Sequence, residues 1–164
     1  MKHNTTSILL AGMAQRGGSV VTQIRYGKEV FSPLIPVGAA QVIGAFEMME
    51  ALRYAHFLAP EGLAVISTHR IIPVSVSSGT AKYPDDIEKR LRRVFPHLVL
   101  VDAEGIAAQL GNRRVSNAVV LGALSRGLDL PEPAWQAAFE TVVKPDFLEI
   151  NRRAFAAGRN LASE

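Results

Sequence analysis

The stretch "GMAQRGGSVV", Gly12 to Val21, carries the densest set of chemically capable groups in the chain. Arg16 offers a fork of N–H donors that matches a carboxylate or a phosphate. Gly17 and Gly18 permit positive φ and close approach of a ligand or another chain. Ser19 and the amides of the two glycines could complete a concave anion site beside Gln15. The plainer reading is a tight turn into a strand, with Arg16 in a surface ion pair. "FEMME" sets Glu47 and Glu50 three residues apart, close on one helix surface. They are a candidate interface for a basic partner, although a favourable first helical turn explains them more simply. His69 and Arg70 follow an apolar run, the usual place for a site residue in a layered fold, yet a lone loop histidine is more often structural. Arg113 and Arg114 precede an apolar helix and read as a solvated helix start.

Equally informative is what the sequence lacks. There is no cysteine among the 164 residues, so no disulfide, thiolate-held iron–sulfur cluster or zinc–thiolate site can form. The four histidines lie far apart without paired ligand spacing, and no metal site is expected. Neither a G-x-G-x-x-G turn, nor a phosphate loop ending in Lys-Ser or Lys-Thr, nor a G-x-S-x-G nucleophile elbow occurs. No residue is therefore assigned a catalytic role. A net charge of +3 with scattered basic residues gives no electrostatic footprint for nucleic acid. "ILLAGMA" after Lys2 is too short and glycine-broken for a convincing secretory signal, and no apolar run reaches membrane-spanning length; a cytoplasmic location is expected.

The elements that must position these residues follow from periodicity. "SILLAG", "QVIGAF", "LAVIST" and "HLVLVDA" are short apolar runs of buried-strand type. "SVVTQIRYGKEVFSPL" alternates like two strands around a "YGKE" turn. "IPVGAA" reads as a loop and "PEG" as a turn. "HRIIPVSVSSGTAKYP" reads as a long connector with room for one edge strand. Helical spacing appears in "EMMEALRYAHFL" and in "PDDIEKRLRRVF", where Asp85 is placed to cap. It appears again in "EGIAAQLG", stopped by Gly111, and in "VSNAVVLGALSRG", capped by Ser116 or Asn117. "PEPAWQAAFETVV" directs Trp135, Ala138, Phe139, Val142 and Val143 to one face. The last helix directs Phe147, Ile150, Ala154, Ala157 and Leu161 inward. Strands alternating with helices predict a single α/β domain over 1–164: a Rossmann-like, layered, mostly parallel sheet, helices on both faces and a helical C-terminal third.

"GMAQRGGSVVTQIRYG", "SPLIPVGAAQVIGAFEMMEALR", "NAVVLGAL" and "FLEINRRAFAAGR" occur in order over nearly the whole chain. Together they resemble the gamma-type subunit of 2-oxoacid:ferredoxin oxidoreductases, and most of all its indolepyruvate branch, where it is the beta subunit. That resemblance implies oxidative decarboxylation of an aryl 2-oxoacid to an acyl-coenzyme A. Thiamine diphosphate and the iron–sulfur clusters would sit on a catalytic partner subunit, ferredoxin would take the electrons, and this chain would bind no cofactor. It also implies that Gln15, Arg16, Gly17, Gly18 and Ser19 form a loop meeting coenzyme A, substrate or partner. Related gamma subunits serve pyruvate, 2-oxoisovalerate or 2-oxoglutarate, and a non-catalytic relative is a further possibility. The family opens with a strand, a glycine-rich turn and a helix before the strand that leads into "MAQRGGS". Here "MKHNTTSILLAG" supplies only the second strand. The expectation is a truncated start, a gap filled by a partner, or a new place in the sheet for "SILLAG".

Overall fold

The structure, a computed structural model, describes residues 5–13, 18–72, 74–80 and 82–161. Five strands form one sheet in the order β2-β1-β3-β4-β5. They are β1 (Thr5–Met13), β2 (Ser19–Gly27), β3 (Ala40–Ala45), β4 (Leu58–Ser67) and β5 (His97–Val101). β1, β3, β4 and β5 are mutually parallel, and β2 lies antiparallel along the outer edge of β1. Strand β1 is hydrogen-bonded on both sides, with Leu9 opposite Gln23 and beside Ile43. "SILLAG" lies in β1, directly between β2 and β3.

The period-two alternation of the strands sorts their side chains into two cores. Leu9, Ile43, Ile66 and Leu98 point to one face, packed by Met48 and Ala51 of α1 (Met48–Tyr54) and by Ile87 and Leu91 of α3 (Ile87–Val94). Ile8, Val42, Val65 and Val99 point to the other. That face is covered by α4 (Ala103–Gln109), α5 (Ser116–Leu124) and α7 (Pro145–Arg159). Burying a side chain such as Leu9 or Ile43, both fully enclosed, contributes about 1.5–3 kcal/mol each. Helices on both faces and the helical C-terminal third are as expected. The crossovers β3–α1–β4 and β4–α3–β5 bring α1 and α3 to the same face, as parallel pairing demands.

Helices α5 and α7 touch through glycine. A Cβ on Gly122 would overlap the Phe155 carbonyl oxygen, and one on Gly158 would overlap that of Val119. The backbones therefore approach more closely than any larger residue allows. α6 (Glu132–Val142) lies outermost, with Trp135 tilted against Phe155 and Phe139 edge-on to it, at ring-centroid separations of 5.3 and 5.2 Å.

Several sequence expectations are corrected. Only one strand forms where two were read around "YGKE". Residues 28–37 are irregular, since Pro33 and Pro36 lack the N–H groups a ladder needs. Side chains of β2 hold that segment instead. Arg25 Nη1 donates to the carbonyls of Ser32 and Leu34 at 2.8 and 3.2 Å, and Gln23 Oε1 accepts from Ile35 N at 2.6 Å. "PEG" lies within β4 as a register shift, where Ala40 faces Leu58 but Val42 faces Leu63. The connector after β4 carries a one-turn helix, α2 (Val74–Ser77), and no strand among its described residues.

Asp86, not Asp85, occupies the N-cap position of α3. Its carboxylate makes no cap bond and instead accepts from Arg90 Nε at 2.9 Å. Asn112 caps the 3₁₀ turn ahead of α5, whose own N-cap position is Val115, so neither Ser116 nor Asn117 has that role. Val142 and Phe147, expected inward, are 81% and 48% exposed, and Phe155 fills the core in their place.

Candidate functional site

The carboxyl ends of β1, β3 and β4 lie side by side. Each hands the chain to a segment bearing the residues singled out above. β1 leads to residues 14–18, β3 to Phe46 and Glu47, and β4 to Thr68, His69 and Arg70. In an open α/β sheet this edge is where ligands bind.

Glu47 opens α1. With its backbone extended (φ −153°, ψ 139°), its Oε2 accepts the amide N–H groups of Met49 and Glu50 at 2.7 and 3.2 Å. This is an N-cap that satisfies otherwise orphaned donors. Its Oε1 accepts the Tyr83 hydroxyl at 2.5 Å. Partial burial, then the hydrogen bond to Glu47 and its negative charge, push the Tyr83 hydroxyl well above the ordinary tyrosine value, so it stays a donor. The Arg70 guanidinium stands 5.6 Å from the Tyr83 ring centroid. Three segments distant in sequence thereby meet at Glu47.

Glu50, one turn on, is 2% exposed. Its Oε1 accepts from Arg53 Nε at 3.1 Å, and its Oε2 accepts the Ser19 hydroxyl. Ser19 Oγ also lies 3.0 Å from the Tyr54 hydroxyl. The two carboxylates read from the sequence as a candidate interface are thus enclosed and engaged by described residues of the chain, and Glu50 meets the start of β2 through Ser19. Tyr54 and Tyr83 escaped the sequence reading. Tyr54 had a usable signal, standing four residues after Glu50 on the same helical face. Tyr83 had none, because only tertiary folding brings it to Glu47.

Gln15, Arg16 and Gly17 lie outside the described residues. Gly18 and Ser19 lie within them, and Gly18 is unusual. A Cβ built on it would meet nothing within 4 Å among the described residues. Crowding by those residues does not call for glycine there.

On the opposite face of the same edge is an apolar trough of about 400 Å³, lined by Leu10, Gly12, Val20, Thr22, Phe46 and Ile71. Val20 and Ile24 of β2 and Ile72 are 40–52% exposed, and Phe31, Leu34 and Val37 of the 28–37 segment are 67–92% exposed. His69 is exposed, with its amide donating to Ser67 Oγ at 3.2 Å. Arg113 and Arg114 are exposed on the 3₁₀ turn, away from this edge. Among the described residues no group of three or more His, Asp or Glu is placed to hold a metal ion. Nor is any helix there long and apolar enough to cross a membrane.

Residues 4–161 match the family model described as pyruvate ferredoxin/flavodoxin oxidoreductase. The chain is 44% identical over 156 residues to indolepyruvate oxidoreductase subunit IorB of Archaeoglobus fulgidus, covering 92% of this chain and 77% of that one. Its fold is similar to a keto/oxoacid ferredoxin oxidoreductase gamma subunit from Geobacter sulfurreducens, with a TM-score of 0.65, 16% identity and 94% of each chain covered. It is also similar to 2-oxoglutarate:ferredoxin oxidoreductase from Magnetococcus marinus, solved with 2-oxoglutarate, coenzyme A and succinyl-CoA. There the TM-score is 0.64 and the identity 17%, over 99% of this chain and 32% of that one.

Proposed function

The chain belongs to the pyruvate ferredoxin/flavodoxin oxidoreductase family, and from that premise we propose that it is the cofactor-free subunit of an indolepyruvate:ferredoxin oxidoreductase. The partner subunit carries thiamine diphosphate and the iron–sulfur clusters. An aryl 2-oxoacid loses carbon dioxide there, its acyl carbon passes to the thiol of coenzyme A, and two electrons leave to ferredoxin. The complex acts in the cytoplasm. This chain contributes the loop Gln15, Arg16, Gly17, Gly18 and Ser19, which meets the coenzyme A side of the partner's reaction chamber. Arg16 supplies the donors for an anionic group, and Glu47 and Glu50 support the edge from within.

The supporting observation is Gly18. A glycine whose missing side chain meets none of the described residues leaves its backbone open to close approach by something outside the chain. The likeness to IorB favours the indolepyruvate branch. The complete lack of cysteine leaves no thiolate to hold a cluster, which fits redox chemistry on a partner. The exposed apolar residues of β2 and the 28–37 segment supply a surface for that partner.

Co-expression with the catalytic subunit, followed by turnover on a panel of 2-oxoacids with coenzyme A and ferredoxin, tests the reading. A complex that prefers indolepyruvate and other aryl 2-oxoacids is expected. Strong preference for pyruvate, 2-oxoisovalerate or 2-oxoglutarate would overturn the indolepyruvate assignment, and failure to associate would overturn the subunit role.

A further inference from the structure

Glu50 is enclosed, yet one of its oxygens is spent on an exposed serine at the start of an edge strand. A buried carboxylate needs its hydrogen-bond partners satisfied, and the nearby Arg53 engages only Oε1. The other oxygen is closed by Ser19, whose hydroxyl is in turn shared with Tyr54. Ser19 immediately follows Gly18, whose side-chain position meets none of the described residues within 4 Å. We infer that Glu50 is a positioning residue. Through the Ser19 hydroxyl it fixes the first residues of β2 against α1, so that the bare backbone at Gly18 is presented at a set place on the carboxyl edge. Tyr54 completes the clamp. This inference rests on the reading that the Gly18 region meets the partner's coenzyme A site.

The clamp has a defined chemistry. The Ser19 O–H donates to the Glu50 carboxylate, a charge-assisted bond. Its worth lies in direction more than in strength, because it ties the exposed Ser19 to the enclosed Glu50. Loss of the hydroxyl leaves β2 paired with β1 through its backbone, Ser19 opposite Met13, but removes the tie between the start of β2 and α1.

The experiment uses the assembled complex and four variants, Ser19→Ala, Ser19→Thr, Glu50→Asp and the double variant Ser19→Ala/Glu50→Asp. Glu50→Asp shortens the reach by one methylene. KM for coenzyme A, kcat, complex dissociation constant and melting temperature are measured for each. Ser19→Ala and Glu50→Asp should each raise KM for coenzyme A about tenfold, while kcat stays within twofold, assembly stays unchanged and the melting temperature falls modestly as the enclosed carboxylate loses a partner. Ser19→Thr should restore KM, and the double variant should be no worse than either single one. Unchanged KM in Ser19→Ala, or multiplicative effects in the double variant, would overturn the clamp. A lowered melting temperature with wild-type KM in Glu50→Asp would assign Glu50 a purely structural role and overturn it as well. Arg16→Ala separates this failure from failure of the underlying reading. If Arg16→Ala alters the kinetics and the clamp variants do not, only the clamp is wrong; if none does, the loop role itself falls.

Discussion

Glu47 binds Tyr83, 36 residues away in sequence, through a 2.5 Å hydrogen bond, while its other carboxylate oxygen caps α1. One side chain thus ties the end of β3, the start of a helix and the connector that follows β4. Glu47→Ala should lower stability by about 2–4 kcal/mol, since it removes a cap and strands a hydroxyl and two amides. Tyr83→Phe should cost about 1 kcal/mol, because the carboxylate keeps its two N–H partners. Urea unfolding of the subunit checks both, and equal losses would show that the cap contributes little.

Packing of α5 on α7 predicts an effect of its own. Gly122→Ala and Gly158→Ala each place a methyl group on a carbonyl oxygen of the facing helix. Each should destabilise by about 1–3 kcal/mol or more, because two helix backbones must move apart. A melting temperature within a degree or two of wild type would contradict that contact.

Acid sensitivity should show at Asp86. The Arg90 guanidinium holds its carboxyl below the usual carboxylate range. A depressed folded value means that its contribution is present above the unfolded range and is lost as pH falls through the folded one. Asp86→Asn should therefore melt slightly below wild type at neutral pH, with the gap closing in acid. The effect is small, because the pair is fully solvated. Melting curves against pH measure it, and a gap that widens in acid would reverse the sign.

Phe31, 92% exposed beside the β2 edge, offers a test of the partner surface. Phe31→Asp should leave the isolated subunit as stable as wild type and weaken assembly with the catalytic subunit at least tenfold. Unchanged assembly by titration would place the interface elsewhere.

The parallel strands were legible because both of their faces are buried, so each reads as an unbroken apolar run. Leu9, Ile43 and Ile66 could hardly belong to anything but a core. β2 was half legible: its alternation is genuine, but nothing local shows that residues 28–37 are held by Arg25 and Gln23 and not by a second ladder. Val142 and Phe147 misled because amphipathic spacing marks an apolar face without saying whether anything covers it. At the candidate site, the glycine-rich loop and the two glutamates stood out as residue types. Their arrangement did not, since a carboxylate pair at helical spacing looks the same whether it faces solvent or closes on Ser19 and Tyr83.

The central claim is that this chain works by shaping a neighbour's reaction chamber from the edge at Gly18. Gly18→Ala tests it most directly, with the melting temperature of the isolated subunit measured beside coenzyme A kinetics of the complex. A Cβ there meets none of the described residues within 4 Å, and a non-glycine residue restricts the unfolded state. The subunit should therefore melt at or slightly above the wild-type temperature, while kcat/KM for coenzyme A in the complex falls at least tenfold. Full activity in a complex assembled with the Gly18→Ala subunit would contradict the account.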